Sequence, residues 1–341
     1  MSTFSGPDPF SRPRPPVSRR GLIRAGLLAP LATATAAATA TPAAGLRAVA
    51  APVLPRWPGH VPGRIHLGWS DGGNLAATEA LTGPVTMRRS YFQWAQGARE
   101  DRRIREDHAA GRIPWISFKP PSTGAGGWAA VAAGTHDDAL RVRARRYAAL
   151  AAPVIVTFHH EPNSDLTGTA AEFAAAWARV HDVLADETGL ANVVSVPIVT
   201  SWSFSPSNPR RDGTAYLAPA VLDRCHFVGV DLYQSRTGEG YAERLGALTS
   251  YVDAQGHSSL MLGLGETGCS ETFAAASAAT WWLRNWRWAE SHVSRIGAVC
   301  YWNSRVSSAH PNWRLSESSA KLAAFRAAKV SPVVVRPALR R

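Results

Sequence analysis

Val154–Ile155–Val156–Thr157–Phe158–His159–His160–Glu161–Pro162–Asn163 is an apolar run that ends on a carboxylate, and Leu260–Met261–Leu262–Gly263–Leu264–Gly265–Glu266–Thr267–Gly268 is another. Short, nearly continuous apolar runs are what strands buried on both faces look like, and parallel sheets covered by helices are built from them. In a β/α barrel the residues just past the C-terminal ends of such strands stand at the mouth. Glu161 and Glu266 are therefore expected to face one another across a shared opening.

The flanking sequence repeats the pattern. Strands are expected at Arg64–Trp69, Thr86–Phe92, Pro114–Lys119, Val154–His159, Val193–Val199, Phe227–Leu232, Leu260–Gly265 and Ala298–Trp302. Helical stretches separate them at Gln96–Ala110, Asp137–Leu150, Thr169–Glu187, Tyr241–Gln255 and Glu271–His292, with shorter ones at Gly73–Ala80, Tyr216–Asp223 and Glu317–Ala328. Eight strands alternating with eight helices predict a single (β/α)8 TIM barrel over residues 51–341, with its core at about 64–327. A doubly wound open sheet would place a glycine-rich phosphate loop after its first strand, and Trp69–Ser70–Asp71–Gly72–Gly73 is not one. Loops are expected at Pro120–Gly127 and Ser203–Gly213, both on the catalytic side.

Residues 1–50 stand outside this pattern. Ser18–Arg19–Arg20–Gly21–Leu22–Ile23–Arg24 is a twin-arginine motif, followed by an Ala/Thr/Leu stretch interrupted by Pro30. That is an export leader with an Ala/Thr/Pro-rich tail, not a stable membrane span. Export through it places the protein outside the cytoplasm, secreted to the extracellular or cell-wall space. The formal charge of the whole chain is +12, of which six arginines and one aspartate in the leader carry +5. The remaining +7 suits loose association with anionic cell-wall polymers. Arg141, Arg143, Arg145 and Arg146 are expected to form a solvated helix face, with no nucleic-acid partner. Cys225, Cys269 and Cys300 lack metal-ligand spacing and are expected as buried thiols, with a Cys269–Cys300 pair as the alternative.

Retaining glycosidases need one protonated carboxylic acid and one ionised carboxylate across the scissile bond, and the two glutamates fit that need. No set of His, Asp and Glu at ligand spacing asks for a metal, no cofactor is implied, and no G-x-S-x-G elbow points to a serine nucleophile. The ordered motifs His160–Glu161–Pro162–Asn163, Phe204–Ser205–Pro206–Ser207–Asn208, Val228–Gly229–Val230–Asp231–Leu232–Tyr233, Gly265–Glu266–Thr267 and Tyr301–Trp302–Asn303 resemble the retaining β/α-barrel glycosidases of clan A. Within that clan they look most like glycoside hydrolase family 26, the β-mannanase family. The resemblance implies Glu161 as acid/base and Glu266 as nucleophile. It also implies His160 and Asn163 at the substrate, Tyr233 hydrogen-bonded to the nucleophile, and Trp302 as the floor of the sugar site.

Two departures bear on substrate. The family carries an arginine where this chain has Thr157, so Arg88 or Arg89 is the candidate replacement. The family's tryptophans after the first motif are absent from Ser164–Asp165–Leu166–Thr167–Gly168. Trp69, Trp94, Trp202 and Trp302 fall at strand ends and are candidate sugar platforms, Trp69 and Trp202 together with Trp302 foremost. Trp281, Trp282, Trp286 and Trp288 share one helix and are expected to pack inward. The expected substrate is a β-linked polysaccharide, mannan by resemblance, with β-glucan, xylan and a non-catalytic carbohydrate-binding barrel as alternatives.

Overall fold

The structure, a computed structural model, describes residues 56–337 apart from 123, 125, 165–166, 209–211, 274–275 and 309. The leader expected over residues 1–50 lies outside the described residues. The described strands are β1 (His66–Ser70), β2 (Met87–Phe92), β3 (Ile113–Phe118), β4 (Val154–Phe158), β5 (Val193–Ser195), β6 (Ile198–Thr200), β7 (Phe227–Tyr233), β8 (Met261–Gly268) and β9 (Ile296–Trp302). They pair in the order β5-β4-β3-β2-β1-β9-β8-β7-β6, all parallel.

The two ends of that order belong to one stretch of chain. The expected strand 193–199 is broken at Val196–Pro197. Val196 donates its N–H to Val156 O on one side (2.9 Å), and the Pro197 carbonyl accepts from Gly229 N on the other (2.8 Å). Proline has no N–H to continue a ladder, so the strand changes partner there. Counted through the break, the nine segments are the eight strands of a (β/α)8 barrel.

The described helices are α1 (Leu75–Thr82), α2 (Gly97–Ala109), α3 (Gly127–Ala132), α4 (Asp137–Ala148), α5 (Ala170–Thr188), α6 (Pro219–Leu222), α7 (Tyr241–Ala254), α8 (Ala278–Ser291) and α9 (Ser319–Lys329). Local chemistry sets their ends. Thr169 and Glu172 form a reciprocal capping box on α5, and Gly189 closes it in the left-handed conformation (φ 59°). The helix expected from Glu271 begins only at Ala278, because Ser277 caps it by accepting from Thr280 N (3.2 Å). Short α3 falls just after the expected loop 120–127 and was not foreseen.

Two apolar layers hold the barrel. Met87, Trp115, Ile155, Ile198 and Phe227 fill the interior, while a larger cluster packs strands against helices. Strand residues alternate between these layers with period two. Trp281, Trp282 and Trp286 are buried in the outer layer, as expected. Of the basic run only Arg143 departs from the expected solvated face, being buried against Glu100 (3.2 Å); Arg141, Arg145 and Arg146 lie at the surface, each beside a carboxylate. Cys225, Cys269 and Cys300 are buried free thiols. No described helix is long and apolar enough to cross a membrane.

Candidate active site

A cleft of about 460 Å³ opens at the C-terminal ends of the strands. Glu161, Thr200, Trp202, Asp231, Tyr233, Arg244, Glu266, Phe273, Trp302 and Trp313 are among its lining residues. The two glutamates singled out by sequence thus share one opening, and in each case a backbone irregularity aims the side chain.

On β8, simple alternation would send Glu266 outward with Leu262 and Leu264, which lie in the outer layer. A bulge intervenes: Val230 pairs with Leu264, but Asp231 pairs with Glu266, leaving Gly265 as the extra residue. The phase flips, Glu266 turns into the cleft, and Thr267 faces outward to accept from Tyr241 Oη (2.9 Å). A Cβ on Gly265 would lie 2.7 Å from Ile198 Cδ1 and 2.8 Å from Asp231 Oδ1, so glycine is needed there.

After β4 the same result comes from positive φ. His159 (φ 44°) and Glu161 (φ 52°) both occupy the left-handed region, which is costly for residues bearing a Cβ and is tolerated where surroundings fix it. His159 turns outward, its Nδ1 bonded to Trp128 Nε1 of α3 (2.8 Å). His160 turns the other way and packs its ring 5.3 Å from that of Tyr91. The Glu161 amide donates to Ile198 O (2.8 Å), and its carbonyl accepts from Ser164 N (2.9 Å).

Around Glu266 the interior is polar. Tyr233 donates its hydroxyl to Glu266 Oε2. Burial, followed by the Glu266 charge, holds the Tyr233 and Tyr91 hydroxyls well above the usual phenol range, so both remain donors. Arg89 is 1% exposed, with its guanidinium carbon 4.6 Å from the Tyr91 ring centroid and 5.6 Å from that of Trp115. Its charge faces Glu266 and Asp231. Of the two arginines weighed in the sequence, Arg89 is therefore the one at the centre. Arg88 points outward and pairs with Asp71 and Asp107. Thr157 accepts from Trp115 Nε1 (3.0 Å) in the layer below.

The remaining sequence candidates divide. Trp302 lines the cleft, edge-on to Tyr91 (5.3 Å), and Trp202 lines it with 48% of its surface exposed. Arg244 of α7 sits 5.3 Å from the Trp202 ring and is anchored by Glu239 (2.9 Å). Trp69 is not a platform. Its position is outward in β1, it is fully buried, and its Nε1 donates to Thr82 Oγ1 (3.1 Å). Trp94 packs on Phe118 instead of facing the cleft. Asn163 is placed behind the lining, its amide spent on Thr200 Oγ1 (2.7 Å) and Ser203 Oγ (3.1 Å), so it braces two loops.

Sequence reasoning missed Asp231, Trp313 and Phe273. Asp231 was signalled by its place two residues before Tyr233, hence on the same strand face. Trp313 and Phe273 stack on each other (5.9 Å), and Trp313 lies 4.9 Å from Tyr233; both come from loops without periodic signal. Among the described residues, no group of three or more His, Cys, Asp or Glu side chains is placed to hold a metal.

These positions predict opposite phenotypes for two tryptophans. Trp69→Ala should lower stability by about 3–5 kcal/mol in denaturant unfolding. Trp202→Ala should leave stability nearly unchanged and raise KM for a polysaccharide by about tenfold, the worth of one lost apolar face. Tyr233→Phe should lower kcat by about tenfold to a hundredfold with little change in KM, since it removes a charge-assisted hydrogen bond. Steady-state kinetics read both.

No family model and no curated protein matches the sequence. Solved structures do resemble the fold. A family 26 β-mannanase from Bacteroides ovatus matches with a TM-score of 0.59 at 16% identity, over 81% of this chain and 91% of that one. A modular endo-β-1,4-mannanase from Cellulomonas fimi matches with a TM-score of 0.58 at 16% identity, over 80% and 72%. A fungal β-1,4-galactanase matches with a TM-score of 0.55 at 14% identity, over 77% and 99%. The chain therefore has the β/α-barrel fold of the family 26 glycoside hydrolases.

Proposed function

We propose that the protein is an exported retaining glycoside hydrolase that cleaves a β-linked polysaccharide, with Glu161 as acid/base and Glu266 as nucleophile. The observation that carries this reading is the convergence of both glutamates on one cleft, with Tyr233 bonded to Glu266. In the first step Glu161 protonates the leaving oxygen while a Glu266 oxygen attacks the anomeric carbon, giving a glycosyl-enzyme ester. In the second, Glu161 takes a proton from water, which displaces Glu266 and restores both groups. Trp302 and Trp202 supply flat apolar faces for sugar rings, and Arg89 offsets the negative charge around Glu266. His160, packed on Tyr91, borders this site.

β-Mannan is the favoured substrate, on the family resemblance. A second reading, action on β-glucan or xylan, is favoured by Trp202, Trp313 and Phe273, which line the cleft while the family's tryptophans after Asn163 are absent. The twin-arginine leader supports secretion, and the basic surface supports loose contact with the cell wall. Purified protein should release reducing ends from one of β-mannan, mixed-linkage glucan, xylan or laminarin-type glucan, and NMR of the first product should show the substrate's own anomer. Retention on a polysaccharide column with no product from any substrate would instead establish a carbohydrate-binding barrel. An inverted first product would remove the double-displacement mechanism.

A further inference from the structure

The chain just after β6 inverts the usual rule of burial. Ser201, Ser203, Phe204 and Ser205 are buried, while Trp202, the largest side chain among them, stands 48% exposed in the cleft wall. A large apolar side chain left in water is informative when something holds it there. Here the holder is Arg244, near the start of α7 and only 4% exposed. Its guanidinium carbon lies over the Trp202 ring, 5.3 Å from the centroid.

The guanidinium is itself fixed from several sides. Its Nε donates to Glu239 Oε2 (2.9 Å), one terminal nitrogen to Ser201 Oγ (3.3 Å), and the other to Ser235 Oγ (3.1 Å) and Thr237 Oγ1 (3.5 Å). Glu239 in turn accepts from Ser207 N (3.3 Å) and from the hydroxyls of Ser205 and Ser207. One planar cation thus joins α7 to the turn after β6 and to the loop after β7. The Trp202 carbonyl accepts from Ser205 N (3.1 Å) and Asn208 Nδ2 (3.1 Å), so the backbone beneath the indole is fixed as well.

We propose that Arg244 is a positioning residue that holds Trp202 as a preformed platform for a β-linked glycan, fixing the ring before the sugar arrives. The proposal takes the glycan from the glycosidase reading and the platform from the geometry above. A side chain already ordered loses no rotamer freedom when the sugar binds, so affinity gains. Arg244 does not act on the sugar directly, because its nitrogens are engaged by Glu239 and the surrounding hydroxyls. Its effect passes through the indole.

The test pairs Arg244→Lys with Trp202→Ala in the full protein. Lysine keeps a positive charge beside Glu239, but one ammonium cannot span Glu239, Ser201 and Ser235 or lay a plane over the indole. On whichever of β-mannan, mixed-linkage glucan, xylan or laminarin-type glucan the parent hydrolyses, Arg244→Lys should raise KM by about fivefold and keep kcat within about threefold. The double variant should match Trp202→Ala alone, at about tenfold, because the arginine acts through the ring. An unchanged KM in Arg244→Lys, or effects that multiply to about fiftyfold in the double variant, would overturn the assignment. A second readout needs no sugar. In protein labelled with 5-fluorotryptophan, the Trp202 signal is identified by its loss in Trp202→Phe. Arg244→Lys should move that fluorine resonance toward the position of free fluorotryptophan. Ser201→Ala, which removes one tie and leaves the ion pair with Glu239, should move it the same way by less, and it stands in where Arg244→Lys does not fold. A resonance unmoved by these variants would overturn the proposal whatever the kinetics. If the parent hydrolyses no glycan, the glycosidase reading fails, and the fluorine signal still decides whether Arg244 holds the ring.

Discussion

Glu266→Ala should reduce polysaccharide turnover by on the order of 10⁵-fold, the scale at which loss of a nucleophile leaves only binding and electrostatics. The fold should survive. The residue lies beyond the packed interior, and the Gly265 bulge that shapes the strand remains. Removing the carboxylate leaves a small space beside Tyr233 that Arg89 keeps electropositive. Azide should fill it and attack the anomeric carbon from the face Glu266 occupied. The product should be an α-glycosyl azide, with rate rising with azide concentration. Undiminished hydrolysis by this variant, or a β-azide product, would remove Glu266 as nucleophile.

Glu161→Ala should separate substrates by their leaving groups. With polysaccharide, whose leaving alkoxide needs a proton, kcat/KM should fall by about 10²- to 10⁴-fold, the usual worth of general acid catalysis. With an aryl glycoside whose phenol departs unaided, the first step should proceed, and the ester on Glu266 should accumulate as a burst. Backbone strain does not confuse this result. Alanine and glutamate both carry a Cβ at φ 52°, so the left-handed conformation is no harder to hold in the variant. Equal loss on both substrates would show that Glu161 positions the sugar without moving its proton.

The barrel was legible because eight apolar runs are spaced by helix-length segments, and each expected strand has a counterpart. The sequence reading ran the fifth strand unbroken from Val193 to Val199 and missed the break at Pro197, which has no N–H for a central ladder. Side-chain direction at the strand ends was harder. Counting by twos from Leu262 sends Glu266 the wrong way, and only the inserted Gly265 reverses it. His159 and Glu161 adopt angles that their residue types do not advertise. Trp69 was misplaced by reading position along a strand without its phase, although Met87, Arg89 and Tyr91 show how much phase decides. The cleft walls at Phe273 and Trp313 lie in loops, where no period exists to be read.

Where the strand ladder trades one neighbour for the other at Val196–Pro197, the ring is closed by isolated backbone bonds in place of a ladder, His226 N to Ser195 O (3.1 Å) at the start of β7 and Glu161 N to Ile198 O (2.8 Å) past the end of β4. Every other seam is held by a row of parallel rungs. Glu161 rides on the far lip of that gap, tethered to Ile198, whereas Glu266 belongs to the uninterrupted arc of β7, β8 and β9. Glu161 thus stands at a seam stitched by single bonds, and its own amide is one of the stitches.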